Sequence, residues 1–418
     1  MLHSRVFEKR IPLRKFAAAL FLVSNSIVWY TSTNYILTSA LPLKKGLTGV
    51  AQAQALPLTP NESLLILAAY YVGIAVAAFV GTMLFRRSRA KWLSLWMLCG
   101  AAITALLSVS LGSNVSLDLS VSLVFGVSTG LGLPSCLAYF ADETSVENRG
   151  TYGGITWATI GLSVLALLAI TSSLARTQSL EVLTIWRLIG FFVFYSVSRN
   201  EPQINAISPT QSFKSLLERR DIVLYLLPWI LFSLVNFTEA PILQNAFGSV
   251  ATISALVEVA ISGVFALVGG FLADTVGRKR VAIVGFILLG LEYAFLSLFS
   301  TTTATLVLYT LFDGTAWGMF ATVFFMTLWG DLAQNNQKER FYLLGGLPYL
   351  LASFLSALVT PFLGVIQTSA AFSLASIFLF LAMLPLIYAP ETLSEKRIRE
   401  MELKTYLEKA QKVKEKYA

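Results

Sequence analysis

Ionisable side chains inside long apolar stretches are the first candidates for chemistry in this sequence. A charge near the middle of a bilayer costs roughly 2.5–3.5 kcal/mol or more, so each one needs a partner or a functional reason. Glu258 is a candidate to exchange protons, whereas Glu292 is expected to pack against a polar neighbour. Arg187 is expected to reach toward the membrane surface or to pair with Asp118. The full set is Arg187, Glu239, Glu258, Glu292 and Asp313.

Two of these acids have a polar or aromatic neighbour one helical turn away. Trp317 follows Asp313 on the same helix face, and Asn236 precedes Glu239. Asp313 fits either a cavity site for protons, cations or substrate, or a structural acid held by hydrogen bonds. Glu239 fits substrate contact, an outer gate or simple solvation.

The first apolar stretch carries a polar stripe. Asn25, Trp29 and Thr33 recur at i, i+4 and i+8, and Asn34 follows directly. Residues at that spacing share one helix face. The stripe fits either the binding of a polar substrate with a hydrophobic part or a hydrogen-bond seam between helices.

The composition identifies the elements that must position these side chains. Hydrophobic residues make up 56% of the 418 residues and charged residues only 13%, about half of what soluble domains carry. A soluble enzyme is therefore excluded, and the long, non-alternating apolar runs exclude a membrane β-barrel. His3, Cys99 and Cys136 do not form a metal-site pattern, and the chain has no nucleotide-binding loop. We expect no enzyme activity, no cofactor, no metal and no nucleic-acid partner.

Apolar windows bounded by charged or turn-forming residues predict twelve membrane helices. They cover about 16–41, 62–85, 91–112, 117–140, 151–173, 182–198, 222–245, 248–273, 281–300, 304–330, 341–366 and 369–389. With the N-terminus in the cytoplasm, 27 of the 31 Lys and Arg residues fall on the cytoplasmic side. This bias predicts a multi-pass protein of the cell membrane with both termini inside.

A polar segment divides the chain into two halves that repeat each other. We predict a first bundle over 1–199, a linker over 200–221, a second bundle over 222–390 and a charged helical tail over 391–418. Parallel repeats of this kind occur in transporters, whose binding sites lie between the repeats near mid-membrane. An offset of 189 residues relates Gly81 to Gly270, Arg89 to Arg278, Lys91 to Arg280 and Asp142 to Asp331.

The connection between the eighth and ninth helices carries the most specific motif. It reads Gly270-Phe-Leu-Ala-Asp274-Thr-Val-Gly277-Arg278-Lys279-Arg280 and resembles the G-x-L-x-D-x-x-G-R-K signature of the major facilitator superfamily. Gly277 permits a sharp turn, and Asp274 can accept hydrogen bonds from a neighbouring helix N-terminus. Arg278 and Arg280 can pair with acids of the adjacent loop, such as Glu143 or Glu147. The matching loop of the first half lacks the acid, because Phe85 stands in its place.

Two further stretches are similar to the sugar-porter branch of that superfamily. They are Glu143-Thr-Ser-Val-Glu-Asn-Arg149-Gly150 and Pro390-Glu391-Thr392. The glutamine and asparagine pattern of that branch is absent from the seventh helix. In the fourth helix Gly126 occupies the position where proton-coupled members often carry arginine, which argues against antiport through that arginine.

The resemblance implies an all-α membrane protein with two pseudo-symmetric six-helix bundles. It implies a monomer that moves a small solute, such as a sugar, metabolite or drug-like molecule, by alternating access. We add a prediction of proton coupling through a buried carboxylate. The main alternative is a non-transporting solute sensor on the same fold; a membrane enzyme or lipid scramblase is a weaker one. The expected cavity residues are Asn25, Trp29, Thr33, Asn34, Asn236, Glu239, Glu258, Asp313 and Trp317. The expected cytoplasmic gate is Gly270, Asp274, Gly277, Arg278, Arg280, Glu143 and Arg149.

Overall fold

A computed structural model describes most of the chain. It covers residues 12–42, 56, 58–84, 88–112, 114–198, 212–299, 302–333 and 337–393, together with residues 399, 403 and 406. Phe85 of the first motif copy, most of the predicted linker and most of the predicted tail lie outside these ranges.

Twelve helices in the described ranges are long and apolar enough to cross a membrane. They contain 21 to 30 residues each, and about 20 suffice for the hydrocarbon core. The first six are α1 Leu13–Ala40, α2 Pro60–Leu84, α3 Arg89–Ser110, α4 Val115–Glu143, α5 Arg149–Thr171 and α6 Arg176–Ser198. The second six are α7 Arg220–Phe247, α8 Ser249–Thr275, α9 Arg278–Phe299, α10 Thr303–Leu332, α11 Lys338–Phe362 and α12 Thr368–Tyr388. These twelve helices confirm the predicted fold class, and a short helix, Phe213–Leu217, precedes α7.

The tenth helix is not a regular α-helix throughout. Residues Ala321–Thr327 form a π-helical segment between two α-helical parts. Single π-helical turns inside α-helices often mark functional sites, since the extra residue redirects the side chains around it. Here the Met326 carbonyl accepts a hydrogen bond from the Tyr342 hydroxyl of α11 at 2.7 Å.

The two halves meet most extensively along α5 and α8, and also where α11 packs on α2 and α4. Glycines allow the first of these contacts. A Cβ atom at Gly270 would collide with the carbonyl of Gly150, and one at Gly154 would collide with that of Ala266. Small residues let membrane helices approach backbone to backbone. The α5–α8 contact therefore fixes the halves closely at the end of the bundle that carries the motif loop.

Candidate functional site

A cavity of about 270 Å³ lies between the two halves. Residues from α1, α2, α4 and α5 of the first half and from α8, α10 and α11 of the second line it. Most of its wall is apolar. Its aromatic residues are Tyr30, Trp157, Trp317, Phe325, Tyr342 and Tyr349.

Among the residues that line the cavity, Glu258 is the one charged side chain. The aliphatic hydroxyl groups of the wall donate to their own helices: Thr31 to the carbonyl of Ile27 at 3.0 Å, and Ser262 to that of Val259 at 3.1 Å. These hydroxyl protons are therefore already used. Glu258 is half-buried and is the dominant polar group of the cavity.

Two further acids lie behind Glu258. Asp313 of α10 is within hydrogen-bonding reach of both Glu258 and Glu292 of α9, and it accepts a hydrogen bond from the Tyr309 hydroxyl at 3.3 Å. Among the described residues, no N–H or hydroxyl group donates to either oxygen of Glu292. No ion pair to any of the three acids is present among the described residues. A hydrogen bond between two carboxyl groups requires a proton on one of them. We call Glu258, Glu292 and Asp313 the acid cluster.

The acid cluster brings together three of the ionisable residues expected inside the membrane, one each from α8, α9 and α10. Glu258 and Trp317 face the cavity, whereas Asp313 lies behind its wall and is 3% exposed. Glu239 of α7 is buried outside the lining, and its Oε2 atom has no hydrogen-bonding partner. Asn236 is half-buried and likewise outside the lining.

The predicted stripe of α1 faces away from the cavity. Trp29 is fully buried, and its Nε1 atom donates to the Thr104 hydroxyl of α3 at 2.8 Å. The Thr33 hydroxyl donates to the Trp29 carbonyl at 2.6 Å, and Asn25 donates to the Trp186 carbonyl of α6 at 2.7 Å. Asn25 and Trp29 thus belong to an interhelical seam, the second of the two interpretations, whereas Thr33 bonds within its own helix. Asn34 also lies outside the lining and accepts a hydrogen bond from the Tyr71 hydroxyl at 3.3 Å.

The prediction for Arg187 is wrong. Its side chain is fully buried and points into the first bundle rather than toward the membrane surface. The guanidinium lies 4.5 Å from the Trp29 ring centroid and 4.3 Å from that of Trp96. It also donates to Asn25 and Ser26 at 3.0 and 2.8 Å. Aromatic faces and neutral oxygens attract the cation in place of an acid.

Asp118 does not pair with Arg187. It accepts the backbone N–H of Gly112 at 2.9 Å and so closes the turn before α4.

A network of buried charges joins the halves at the end of the bundle that carries the motif loop. Arg278 is fully buried and lies 3.0 Å from Asp331 and 3.1 Å from Asp274. Asp331 also pairs with Arg149 of the first half. Arg278 further donates to the carbonyl of Val146, which lies in the loop before α5. We call this end of the bundle the latch face.

Asp274 forms the second link across the latch face. Its carboxylate accepts the backbone N–H groups of Gly150 at 2.9 Å and Thr151 at 2.6 Å. Both belong to the first turn of α5, where unpaired N–H groups and the helix dipole favour an anion. The hydrogen bonds expected for Asp274 from the sequence are present.

The predicted pairing of Arg278 with Glu143 is wrong. Glu143 pairs instead with Lys15 at 3.1 Å, within the first half. Arg280 is exposed. Arg278 turns inward because Asp331 and Asp274 offer it two carboxylates in a buried site.

The first half forms a related network at the same face. Arg89 pairs with Asp142 and, across the halves, with Glu339 at the start of α11. Lys338 lies 2.6 Å from Asp142. The offset of 189 relates the Arg89–Asp142 pair to Arg278–Asp331. It also relates Arg149 to Lys338. Each half therefore contributes one cation that pairs with an acid of the other half: Arg149 with Asp331, and Lys338 with Asp142.

Glu391 completes the second network. Its carboxylate accepts the backbone N–H groups of Arg278 at 2.9 Å and Lys279 at 3.2 Å, and so caps α9. Gly277, with φ of +111°, makes the turn before α9, and a Cβ atom there would collide with the Glu391 carboxylate. Glu339, Lys338 and Glu391 have no predicted role, although the repeat offset applied to Gly150 and Arg149 points to the first two.

Twelve membrane helices in two related halves, with a cavity between them, define a multi-pass membrane protein with the major facilitator fold. No protein-family model and no curated protein matches the sequence. Solved structures do match. The proton:xylose symporter XylE, bound to 6-bromo-6-deoxy-D-glucose, aligns with a TM-score of 0.63 and 14% identity over 91% of this chain and 95% of that chain. The transporter FucP in its outward conformation aligns with a TM-score of 0.64 and 14% identity over 90% and 98%.

Proposed function

We propose that the protein is a secondary active transporter that moves a small solute by alternating access. The observation that carries the proposal is a cavity between two related halves that polar links hold together at one end. Ion pairs and helix-end hydrogen bonds can break and reform, because water replaces each partner when the halves separate. Rocking of one half against the other would then open the cavity to one side at a time. The two solved structures with the same fold are both transporters, which supports this proposal.

The latch face is the cytoplasmic side in this proposal. The strong bias of Lys and Arg toward the connections on that side supports the assignment. Lys15 in the first turn of α1 and Glu391 just after α12 both form contacts on this face. The cavity would therefore open to the cytoplasm when the links of Asp274 and Asp331 to the first half break.

The acid cluster is the proposed site of proton coupling. Glu258 faces the cavity, and Asp313 connects it to Glu292 deeper in the second half. The groups around the cluster are phenols: Tyr293 and Tyr309 beside the acids, and Tyr349 on the cavity side. Ionised carboxylates this close together repel each other in a medium of low dielectric constant, which favours a proton held within the cluster. A proton that enters or leaves the cluster thus changes the charge presented to the cavity.

Alternating access is tested by labelling one cavity position from both sides of the membrane. Gly346 lines the cavity, and a Cβ atom there meets nothing within 4 Å. Gly346→Cys in a background of Cys99→Ser and Cys136→Ala provides a single thiol. A membrane-impermeant thiol reagent should label it from either side of oriented vesicles. Labelling from one side only, with and without solute and at every pH, would contradict a transporter and favour the sensor.

Proton coupling is tested with Asp313→Asn. Proteoliposomes with an imposed pH gradient are given sugars, organic acids, amino acids and lipophilic cations. We expect the wild-type chain to accumulate one of these classes and the variant to lose gradient-driven accumulation while it still exchanges solute without a gradient. Glu181→Gln, a neutralisation at an exposed site of α6, is the matched control. Gradient-driven accumulation that survives in Asp313→Asn would remove the acid cluster from the coupling step.

A further inference from the structure

The cavity wall has no basic group that would bind an anion, and it has few polar groups that could bind a polyol. No lysine, arginine, histidine, asparagine or glutamine is among the residues that line it. Its Thr31 and Ser262 hydroxyls donate to backbone carbonyls, and the Tyr342 hydroxyl donates to the carbonyl of Met326. A site for sugars needs several polar groups that can reach the ligand, since its own polar atoms are otherwise left unpaired.

The aromatic residues of the wall form a connected surface across both halves. Trp157 of α5 stacks on Phe325 of α10, with ring centroids 5.2 Å apart. Phe325 meets Tyr349 of α11 edge to face at 5.0 Å, and Tyr349 meets Trp317 at 5.7 Å. Such rings supply a large apolar contact area. The faces left free by their neighbours also carry the negative end of the ring quadrupole, which attracts cations.

The ionisable group that faces this surface is an acid, and it has no basic partner among the described residues. Glu258 lies in the wall, and Asp313 and Glu292 lie behind it. The titratable groups packed around Glu258 are these two acids on α10 and α9, with Tyr293 and Tyr309 beside them and Tyr349 on α11. None of the ion pairs among the described residues includes a member of the cluster. An unpaired carboxylate at an apolar, aromatic surface is stabilised by a cation or by a proton.

We propose that the cavity binds a lipophilic organic monocation, with its ammonium or phosphonium centre against Glu258 and its apolar body on the aromatic wall. The cation and a proton then compete for the same carboxylate, which makes their exchange the driving step. This assignment deepens the proposed transport function and rests on it for movement across the membrane. Binding itself can be measured without transport.

The test uses the purified full-length protein and a pair of probes of the same shape. Radiolabelled tetraphenylphosphonium carries a positive charge, and tetraphenylborate carries a negative one on the same four phenyl rings. We expect saturable binding of the phosphonium that the borate does not displace. Lowering the pH should weaken phosphonium binding by up to tenfold per pH unit below the pH at which Glu258 takes up a proton.

Three variants locate the binding. Glu258→Gln keeps the shape of the side chain and removes its charge, so phosphonium binding should weaken at least tenfold. Gly346→Phe places a ring in the cavity, where a Cβ atom meets nothing within 4 Å, and should abolish binding. Glu181→Gln, the same neutralisation at an exposed position of the other half, should leave binding unchanged. Thermal unfolding of each variant in detergent shows whether the protein is folded.

The outcomes separate the binding proposal from the transport proposal. No saturable phosphonium binding, equal binding of the borate, or binding that survives both Glu258→Gln and Gly346→Phe would overturn the cation site. Saturable binding of a neutral sugar that Glu258→Gln does not weaken would also overturn it, while leaving transport in place. Phosphonium binding that depends on Glu258 but is never followed by uptake into proteoliposomes would leave the site standing and remove the transport function.

Discussion

Replacing Asp274 with alanine should open the latch face. Its carboxylate accepts two hydrogen bonds from the other half, from Gly150 at 2.9 Å and Thr151 at 2.6 Å, and the side chain is 4% exposed. Hydrogen bonds to a charged group contribute about 1.5–3 kcal/mol each. The ion pair with Arg278 lies within the second half and persists when the halves separate. It therefore contributes nothing to the free-energy difference between the closed and open arrangements.

The expected shift follows from these two bonds. At the lower end of the range they favour the closed latch face by about 3 kcal/mol, which corresponds to about 150-fold in an equilibrium constant. Asp274→Ala loses the stabilisation from these two hydrogen bonds only in the closed arrangement, since water solvates both partners in the open one. The ratio of open to closed latch faces should therefore rise by about two orders of magnitude. Solute affinity measured in each arrangement should change little, because Asp274 is not part of the cavity wall.

The assay is the labelling of Gly346→Cys from each side of oriented vesicles. In Asp274→Ala, labelling from the latch side should accelerate and labelling from the opposite side should slow. Glu143→Gln is the matched control, because Glu143 lies on the same face but pairs with Lys15 inside the first half. If both variants leave the ratio of the two labelling rates within twofold of the parent, the cross-half bonds of Asp274 do not hold the latch face closed.

Three further substitutions test the packing around the site. Asp331→Asn should lower the unfolding free energy by about 3–5 kcal/mol, because it leaves the buried Arg149 guanidinium without a carboxylate and leaves Arg278 with Asp274 alone. Asp142→Asn, at a side chain that is 24% exposed, should cost clearly less, and equal losses in thermal unfolding would contradict this. Gly277→Ala should lower the unfolding free energy by about 1–2 kcal/mol because of its positive φ. Gly346→Ala, within α11 and with open space around its Cβ, should be neutral or stabilising. A larger loss in Gly346→Ala than in Gly277→Ala would refute the positive-φ turn before α9. Arg187→Met should leave thermal stability unchanged or raise it, because an apolar side chain of similar volume needs no compensation for burial; a large loss would mean that the Trp29 and Trp96 contacts outweigh the desolvation of the cation.

The helices were predictable because their signal is strong and local. A continuous apolar run of about 20 residues has few alternatives to a membrane helix, and charged residues mark its ends. The predicted sixth helix begins at about 182 and the observed one at Arg176, the largest shift at the start of any helix. The π-helical segment Ala321–Thr327 leaves no comparable mark on the apolar pattern, and the Tyr342 hydroxyl that bonds to its Met326 carbonyl comes from α11.

Which face of a helix points to the cavity was harder to predict than the helix itself. The polar stripe of α1 could face either the cavity or the first bundle, since both environments are protein. The choice depends on partners distant in sequence, such as Thr104 for Trp29. Arg187 was misassigned for the same reason: its expected route to the membrane surface assumes a lipid neighbour, whereas Trp96 and Trp29 enclose it.

The missing acid of the first motif copy shows how the repeat keeps its links while its residues change. In the second half the acid lies in the motif loop, at Asp274, and meets the helix start at Gly150. Adding 189 to Gly150 gives Glu339, and subtracting it from Asp274 gives Phe85. For the first motif copy, the acid therefore stands at the facing helix start in the second half, where Glu339 pairs with Arg89.

Because the acid lies in the motif in one copy and at the facing helix start in the other, the two cross-half links have different kinds of partner. Asp274 binds neutral backbone N–H groups at the end of a helix, whereas Arg89 and Glu339 form an ion pair between side chains. The N–H groups belong to the backbone, so the link itself needs no particular side chain at the helix start, although a Cβ atom at Gly150 would collide with Asp274 and Gly270. An ion pair constrains both positions. The second copy of the motif can thus match the family signature on its own, while the first copy is recognisable only when the residues facing it are included.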